Sequence, residues 1–221
     1  MPSVYGNNHS LLTLTMRNAI IRAMLLLTLT ATAVGERKAR ATEPMECDEL
    51  KAGQAVTRKT ATIATPSGSI RAYATVRLSR PPDDTDGNSC EVVYKLFVAE
   101  GTGPFALAKE YSDSPDGLVG VEMVGVSKDE TKLAADFWWA AGDYTGHRPV
   151  IYDAKTKSVH FRELNEEILE QLPSCDYFED FAGVNDAGEA IIDVPKSTYV
   201  EKGCPAQGRW LFDVQTGAFT A

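Results

Sequence analysis

From Ile70 to Leu78 the chain alternates apolar and polar positions. Ile70, Ala72, Ala74, Val76 and Leu78 are separated by Arg71, Tyr73, Thr75 and Arg77. Successive strand residues point to opposite faces, so this period of two predicts a strand over 70–79 with one apolar face. Shorter runs of the same kind predict strands over 91–99, 105–111, 118–126, 132–140, 150–153 and 158–162. Between them lie segments that cannot sustain a ladder. PPDDTDGNS (81–89), Gly101-Thr-Gly-Pro104, KDET after Ser127 and AAGDYTGHRP (140–149) are rich in Pro, Gly, Asp and Asn, which favour turns. One segment departs from the β pattern. Asn165 suits a helix N-cap, Ile168, Leu169 and Leu172 share a helical face, and Pro173 ends the run. Residues 42–58 read as an extended arm with one weak helical turn.

The pattern is also periodic on a longer scale. TPSGSIRAYATVRLS (65–79) has counterparts in VSKDETKLAADFWWA (126–140) and VNDAGEAIIDVPKS (184–197). Each is followed by an aromatic strand: CEVVYKLFVAEGTG, PVIYDAKTK and RWLFDVQTG. Their aromatics Tyr94, Tyr152 and Phe212 stand 58 and 60 residues apart. Such a period indicates one supersecondary unit copied along the chain, each copy covering a face of its neighbour. The expected fold is all-β: three antiparallel four-stranded repeats (59–117, 118–175 and 176–221) with one short inserted helix. Three arrangements fit that plan: propeller-like meanders, a β-trefoil, or a curled open sheet.

Ser127-Lys-Asp129-Glu-Thr-Lys-Leu133-Ala134 resembles the Ser-Pro-Asp-Gly…Leu-Ala turn of TolB-like and WD40-like β-propeller blades, with Lys128 and Glu130 at the Pro and Gly positions. Tyr152-Asp153-Ala-Lys-Thr156 and Phe212-Asp213-Val-Gln-Thr216-Gly217 are similar to the strand and turn that follow in those blades. The resemblance spans about 118–164 and 177–218, and implies meandering blades packed face to face.

Composition bounds the setting. Arg17 and Arg22 precede an uncharged apolar run, Ala23 to Val34, with Ala31 and Ala33 at the spacing a signal peptidase accepts. That run is shorter than the roughly 20 residues that cross a bilayer. Residues 1–41 are therefore expected to be an export leader, starting at Met1 or Met16, with Ala39-Arg40-Ala41 a second possible cleavage point, and the protein periplasmic or extracellular. Removing 1–41 takes away five basic residues and one acidic residue, moving the net charge from −9 to −13. Such a surface repels phosphate backbones and anionic headgroups, so neither nucleic acid nor membrane is an expected partner. Cys47, Cys90, Cys175 and Cys204 form an even set, and four cysteines allow three connectivities. Cys47–Cys90 and Cys175–Cys204 are the favoured pairs, the first tying the arm to the first repeat.

The densest group of recognition-type residues is Phe137 to Arg148, where Trp138, Asp143, Tyr144, His147 and Arg148 are the candidate ligand-binding residues. Aromatic rings stack on flat apolar faces, while Asp, His and Arg fix orientation by hydrogen bonds. Trp138 and Trp139 alternate, so they face opposite ways and are expected to pack one on each face of a covered sheet. Asp83, Asp84, Asp86 and Asn88 resemble a calcium loop in composition, but with Gly87 at the sixth position the first falls on Pro82, and an acidic hairpin loop fits better.

No metal site or cofactor is expected. No Gly-x-Ser-x-Gly elbow, phosphate loop or dinucleotide fingerprint occurs, and beyond the leader only His147 and His160 could serve as imidazole bases. The expectation is an exported, non-catalytic binding protein with a protein or carbohydrate ligand. Two alternatives are a secreted hydrolase of glycan or cell wall, and a lysozyme-type inhibitor. The latter follows from Ser67-Gly68-Ser69-Ile-Arg-Ala-Tyr73, which is similar to an element of exported bacterial lysozyme inhibitors.

Overall fold

Leu133 to Phe137 are buried without alternation because the sheet that holds them is covered on both faces. The computed structural model describes residues 41–84, 89–114, 117–142, 144–171, 180–194 and 208–220, all within the unit Arg40–Ala221. Fifteen described strands, β1 to β15, fall into three antiparallel sheets, none closed into the barrel that a β-trefoil requires.

The first sheet runs β2 (Ala55–Lys59), β4 (Ile70–Ser79), β5 (Glu91–Glu100), β6 (Ala106–Asp113), with β3 (Ile63–Ala64) also on β4. The second runs β1 (Met45–Glu46), β7 (Leu118–Val126), β8 (Lys132–Ala141), β10 (Pro149–Asp153), β11 (Ser158–Phe161), with β9 (Tyr144–Gly146) on the end of β8. The third runs β12 (Asp180–Val184), β13 (Ala190–Val194), β14 (Gly208–Phe212), β15 (Phe219–Thr220). Tyr94, Tyr152 and Phe212, all buried, lie on β5, β10 and β14.

Two apolar layers join the sheets. Between the first and second lie Val76, Leu78, Tyr94 and Leu96 against Met123, Leu133, Phe137 and Val150. Between the second and third lie Ala134 and Ile151 against Phe181, Ile192 and Phe212. Strand parity explains the division: Leu133, Ala135 and Phe137 point one way and Ala134 the other.

The arm contributes more than an extended link. Its β1 pairs with β7, a 3₁₀ turn covers Cys47–Glu49, and β2 then joins β4, so the segment staples two sheets. Cys47 and Cys90 are disulfide-bonded, closing a loop of 43 residues' separation onto the start of β5. Cys175 and Cys204 lie outside the described residues. The expected loop over 140–149 contains β9, whose Gly146 pairs with Trp139. The helix, α1, spans Leu164–Gln171. Asn165 therefore sits inside its first turn rather than capping it, because its carboxamide accepts the His147 backbone N–H at 2.6 Å. The side chains of Ile168 and Leu169, and residues Leu172 and Pro173, lie outside what is described.

Three turns lead into β4, β8 and β13 with shared chemistry. The Thr65, Ser127 and Asn185 side chains accept the backbone N–H of Ile70, Lys132 and Glu189 at 3.2, 2.9 and 2.9 Å. Three residues on, Gly68, Glu130 and Gly188 take left-handed φ of 72°, 59° and 90°. Glu130 adopts there the conformation that glycine adopts most easily.

Candidate functional site

Trp138 and Trp139 leave β8 on opposite faces, and each indole lies over a glycine on the neighbouring strand. Trp138 covers Gly120 of β7, and Trp139 covers Gly146 of β9. A glycine opposite a large ring leaves room for it to lie flat on the backbone, and the ring restores the burial the glycine cannot supply. The Trp139 indole N–H also donates to Glu163 at 3.2 Å.

His147 and Arg148 occupy the short link between β9 and β10, and adjacent positions send their side chains to different sides of the second sheet. His147 Nδ1 meets Asp136 Oδ2 at 2.6 Å, with both side chains largely buried. Asp136 also accepts the Arg148 backbone N–H through Oδ1 at 3.0 Å. Arg148 turns toward the first sheet. Its guanidinium is bonded to Glu163, donates to Asp113 of β6 at 2.6 Å, and lies over the rings of Tyr111 and Trp139 at 5.3 and 5.8 Å. Only 5% of the residue is exposed, and its Nη1 is buried without a partner. Burial pulls the guanidinium pKa down, but the Glu163 carboxylate outweighs that, and the net shift is upward. The same setting raises the phenols nearby. Burial lifts Tyr111 and, more strongly, Tyr94, whose hydroxyl donates to the Trp138 carbonyl at 3.1 Å.

Arg148 thus connects an edge strand of the first sheet to the residue that precedes α1. Planar geometry and permanent charge suit arginine to satisfying two carboxylates while stacking on rings. Asp143 lies outside the described residues, and of Tyr144 only the backbone pairing with Ala141 is described. Three members of the network, Asp113, Asp136 and Glu163, are absent from the sequence-based set. One signal pointed to Asp136: it is the lone acid within the apolar run Leu133 to Ala140, and a buried carboxylate needs partners.

A second feature lies where the first and second sheets meet. Tyr111 packs on Phe161 at 4.7 Å, and the Lys109 ammonium lies 4.6 Å from the Phe161 ring. Beyond this contact is a cleft of about 420 Å³, walled by Val98, Pro104, Ala106 and Leu107 on one side and Tyr152 and Val159 on the other. Leu107 is 50% exposed. At the mouth, Lys157 pairs with Glu100 at 2.9 Å and the Tyr152 hydroxyl donates to Glu100 at 3.3 Å. Among the described residues no group of three or more His, Cys, Asp or Glu could hold a metal ion, and no helix is long and apolar enough to cross a membrane. Comparison of the chain with protein-family models, curated protein sequences and solved structures found no match.

Proposed function

We propose that the chain is an exported binding protein without catalysis of its own, and that its ligand is a compact amphipathic molecule seated in the cleft between the first and second sheets. The cleft carries this reading. Its volume falls in the range of small-molecule sites, and its lining sets apolar side chains such as Val98, Leu107 and Val159 beside a comparable polar surface that includes Glu100, Tyr152 and Lys157. An apolar body would cover Leu107 and Val159, and a charged or hydroxyl group would meet Glu100 and Lys157. The alternative centre at Trp138, His147 and Arg148 is better suited to holding sheets together. Arg148 is buried against two carboxylates, and the Asp136 carboxylate is shared between an imidazole and a backbone N–H.

Export is supported by the uncharged run Ala23 to Val34 and by the Cys47–Cys90 bond, since disulfides persist in oxidising compartments. Three propeller-like blades are supported by the shared turn chemistry before β4, β8 and β13 and by the matched placement of Tyr94, Tyr152 and Phe212.

A fragment screen by protein-observed NMR tests the binding reading, with Leu107→Arg as the cleft variant. Amphipathic fragments are expected to shift the amides of Val98, Leu107 and Val159 and to lose that effect in the variant. Fragments that gather instead around Thr145 to Arg148, or that bind the variant equally well, would overturn it.

A further inference from the structure

The core-facing side of the first sheet is apolar, and its opposite side is cationic. Register places Arg77 opposite Thr57 and Lys59 opposite Thr75, so these four share one face of β2 and β4, away from buried Val76 and Leu78. Lys59 and Arg77 are diagonal neighbours across the strand pair, a separation of roughly 7–8 Å at the backbone. Both are exposed. Other cations on this face are already occupied. Lys95 pairs with Glu110 at 2.8 Å, and Arg71 donates to the Gly101 and Gly103 carbonyls at 2.7 Å each. Lys59 and Arg77 form no ion pair among the described residues, in a chain where acids outnumber bases 31 to 22. Their charged ends point apart along β4, the Lys59 ammonium toward Tyr73 and the Arg77 guanidinium toward Ser79, to which it donates at 3.4 Å, so each can anchor its own anionic group.

The surroundings narrow the chemistry of the anion. Beneath the Lys59 ammonium, 3.6 Å away, lies the Tyr73 ring, stacked on Phe97 at 4.9 Å. At the other end of β4, Arg77, Ser79, Gln54 and Glu91 line a hollow of about 460 Å³. The face therefore presents cations, hydroxyls, an amide and the single carboxylate of Glu91 along an extended strand, with an aromatic support at one end. We infer that this face binds an acidic polysaccharide, whose carboxylates meet Lys59 and Arg77 and whose hydroxyls meet Thr57, Thr75 and Ser79. A carboxylate spaced along a sugar chain suits two isolated cations. Duplex DNA, with one charge per roughly 1.7 Å of axis, would set its dense phosphates against the acidic remainder of the protein.

The test uses the full chain and measures binding to a soluble polyuronate at low and at physiological salt. A neutral glucan, single-stranded DNA and anionic phospholipid vesicles serve as competing probes. Polyuronate is expected to bind, to weaken with salt, and to lose about tenfold in affinity in the Lys59→Ala/Arg77→Ala double variant. The charge reversal Lys59→Glu should lose more, and Lys157→Ala, which removes the cation at the cleft, should lose nothing, which separates this site from the cleft. Failure of polyuronate to bind, equal binding of the neutral glucan, tighter binding of DNA or vesicles, or an unchanged double variant would each overturn the inference.

Discussion

Glu130, in the turn that opens the second sheet's β8, accepts the backbone N–H of Ser67 in the first sheet's turn at 2.9 Å. The next turn repeats the gesture one sheet further on, where Asp186 accepts the Asp129 N–H at 2.8 Å. Carboxylates from successive turns thus link the three sheets in series.

Glu130 makes this bond from a left-handed backbone, φ 59°, a conformation that costs an L-residue about 1–2 kcal/mol. Glu130→Gly relieves the strain while losing the bond, and Glu130→Ala keeps the strain while losing the same bond. The alanine variant is expected to be less stable than the glycine variant by about 1 kcal/mol in urea denaturation. Equal midpoints would show that the turn is not strained.

Arg148 is the larger lever. Removing one partner of a buried ion pair strands the other charges, at a cost of about 3–5 kcal/mol. Arg148→Met should destabilise the protein by that amount, with Asp113 and Glu163 left facing apolar rings. Adding Asp113→Asn and Glu163→Gln to that variant should recover part of the loss. Arg148→Lys should not restore wild-type stability, because one ammonium cannot span both carboxylates and stack on Tyr111. An Arg148→Met protein as stable as wild type would remove the network from any account of how the first two sheets cohere.

The strands of this fold were legible because alternation reports a half-covered sheet directly. Ile70 to Ser79 reads as a strand from its pattern alone and is one, residue for residue. β9 was not legible: three residues, Tyr144 to Gly146, carry too few positions for a period, and its glycine belongs there only because Trp139 lies over it. The helix start was misplaced by two residues for a related reason, since Asn165 has the right chemistry for a cap but spends it on His147. The site shows the deepest limit. His147 and Arg148 stand out by type, yet their partners lie 11, 15 and 35 residues away among 31 acidic residues. Choosing Asp113 from that number requires knowing that β6 stacks on the second sheet, which is a fact of packing rather than of local pattern.

Gly120 is held by its neighbour's ring. A Cβ there would overlap the Trp138 indole on the adjacent strand, so Gly120→Ala must displace a packed side chain. Overpacking of this kind costs about 1–3 kcal/mol. In a Trp138→Ala background the three atoms nearest that methyl are gone, and the same substitution should become nearly neutral. A thermal-unfolding double-mutant cycle measures the coupling, and an additive cycle would mean that the ring does not depend on the glycine.

Acid should unfold this protein through its turns. Asp129 is held well below the usual carboxylate range by the Ser127 and Thr131 hydroxyls, and Asp213 is lowered by the Thr216 hydroxyl. For Asp153, burial pushes upward, but the Lys132 ammonium at 2.7 Å and two backbone N–H groups prevail, and its pKa falls. A native pKa below the unfolded one means that the unfolded chain binds more protons between the two values. Stability from these groups is then complete above the unfolded carboxylate value, roughly pH 4, and drains away as pH falls through the native ones. Urea midpoints should therefore hold steady from neutrality to mild acid and drop below that point. Asp129→Asn should lower the midpoint at neutral pH and flatten the acid limb, because the amide has no proton to take up. Asp153→Asn should lower it further, since it leaves the Lys132 ammonium, with its side chain only 9% exposed, without its counterion. If both variants kept the wild-type acid limb unchanged, these turn carboxylates would not be the groups whose protonation unfolds the chain.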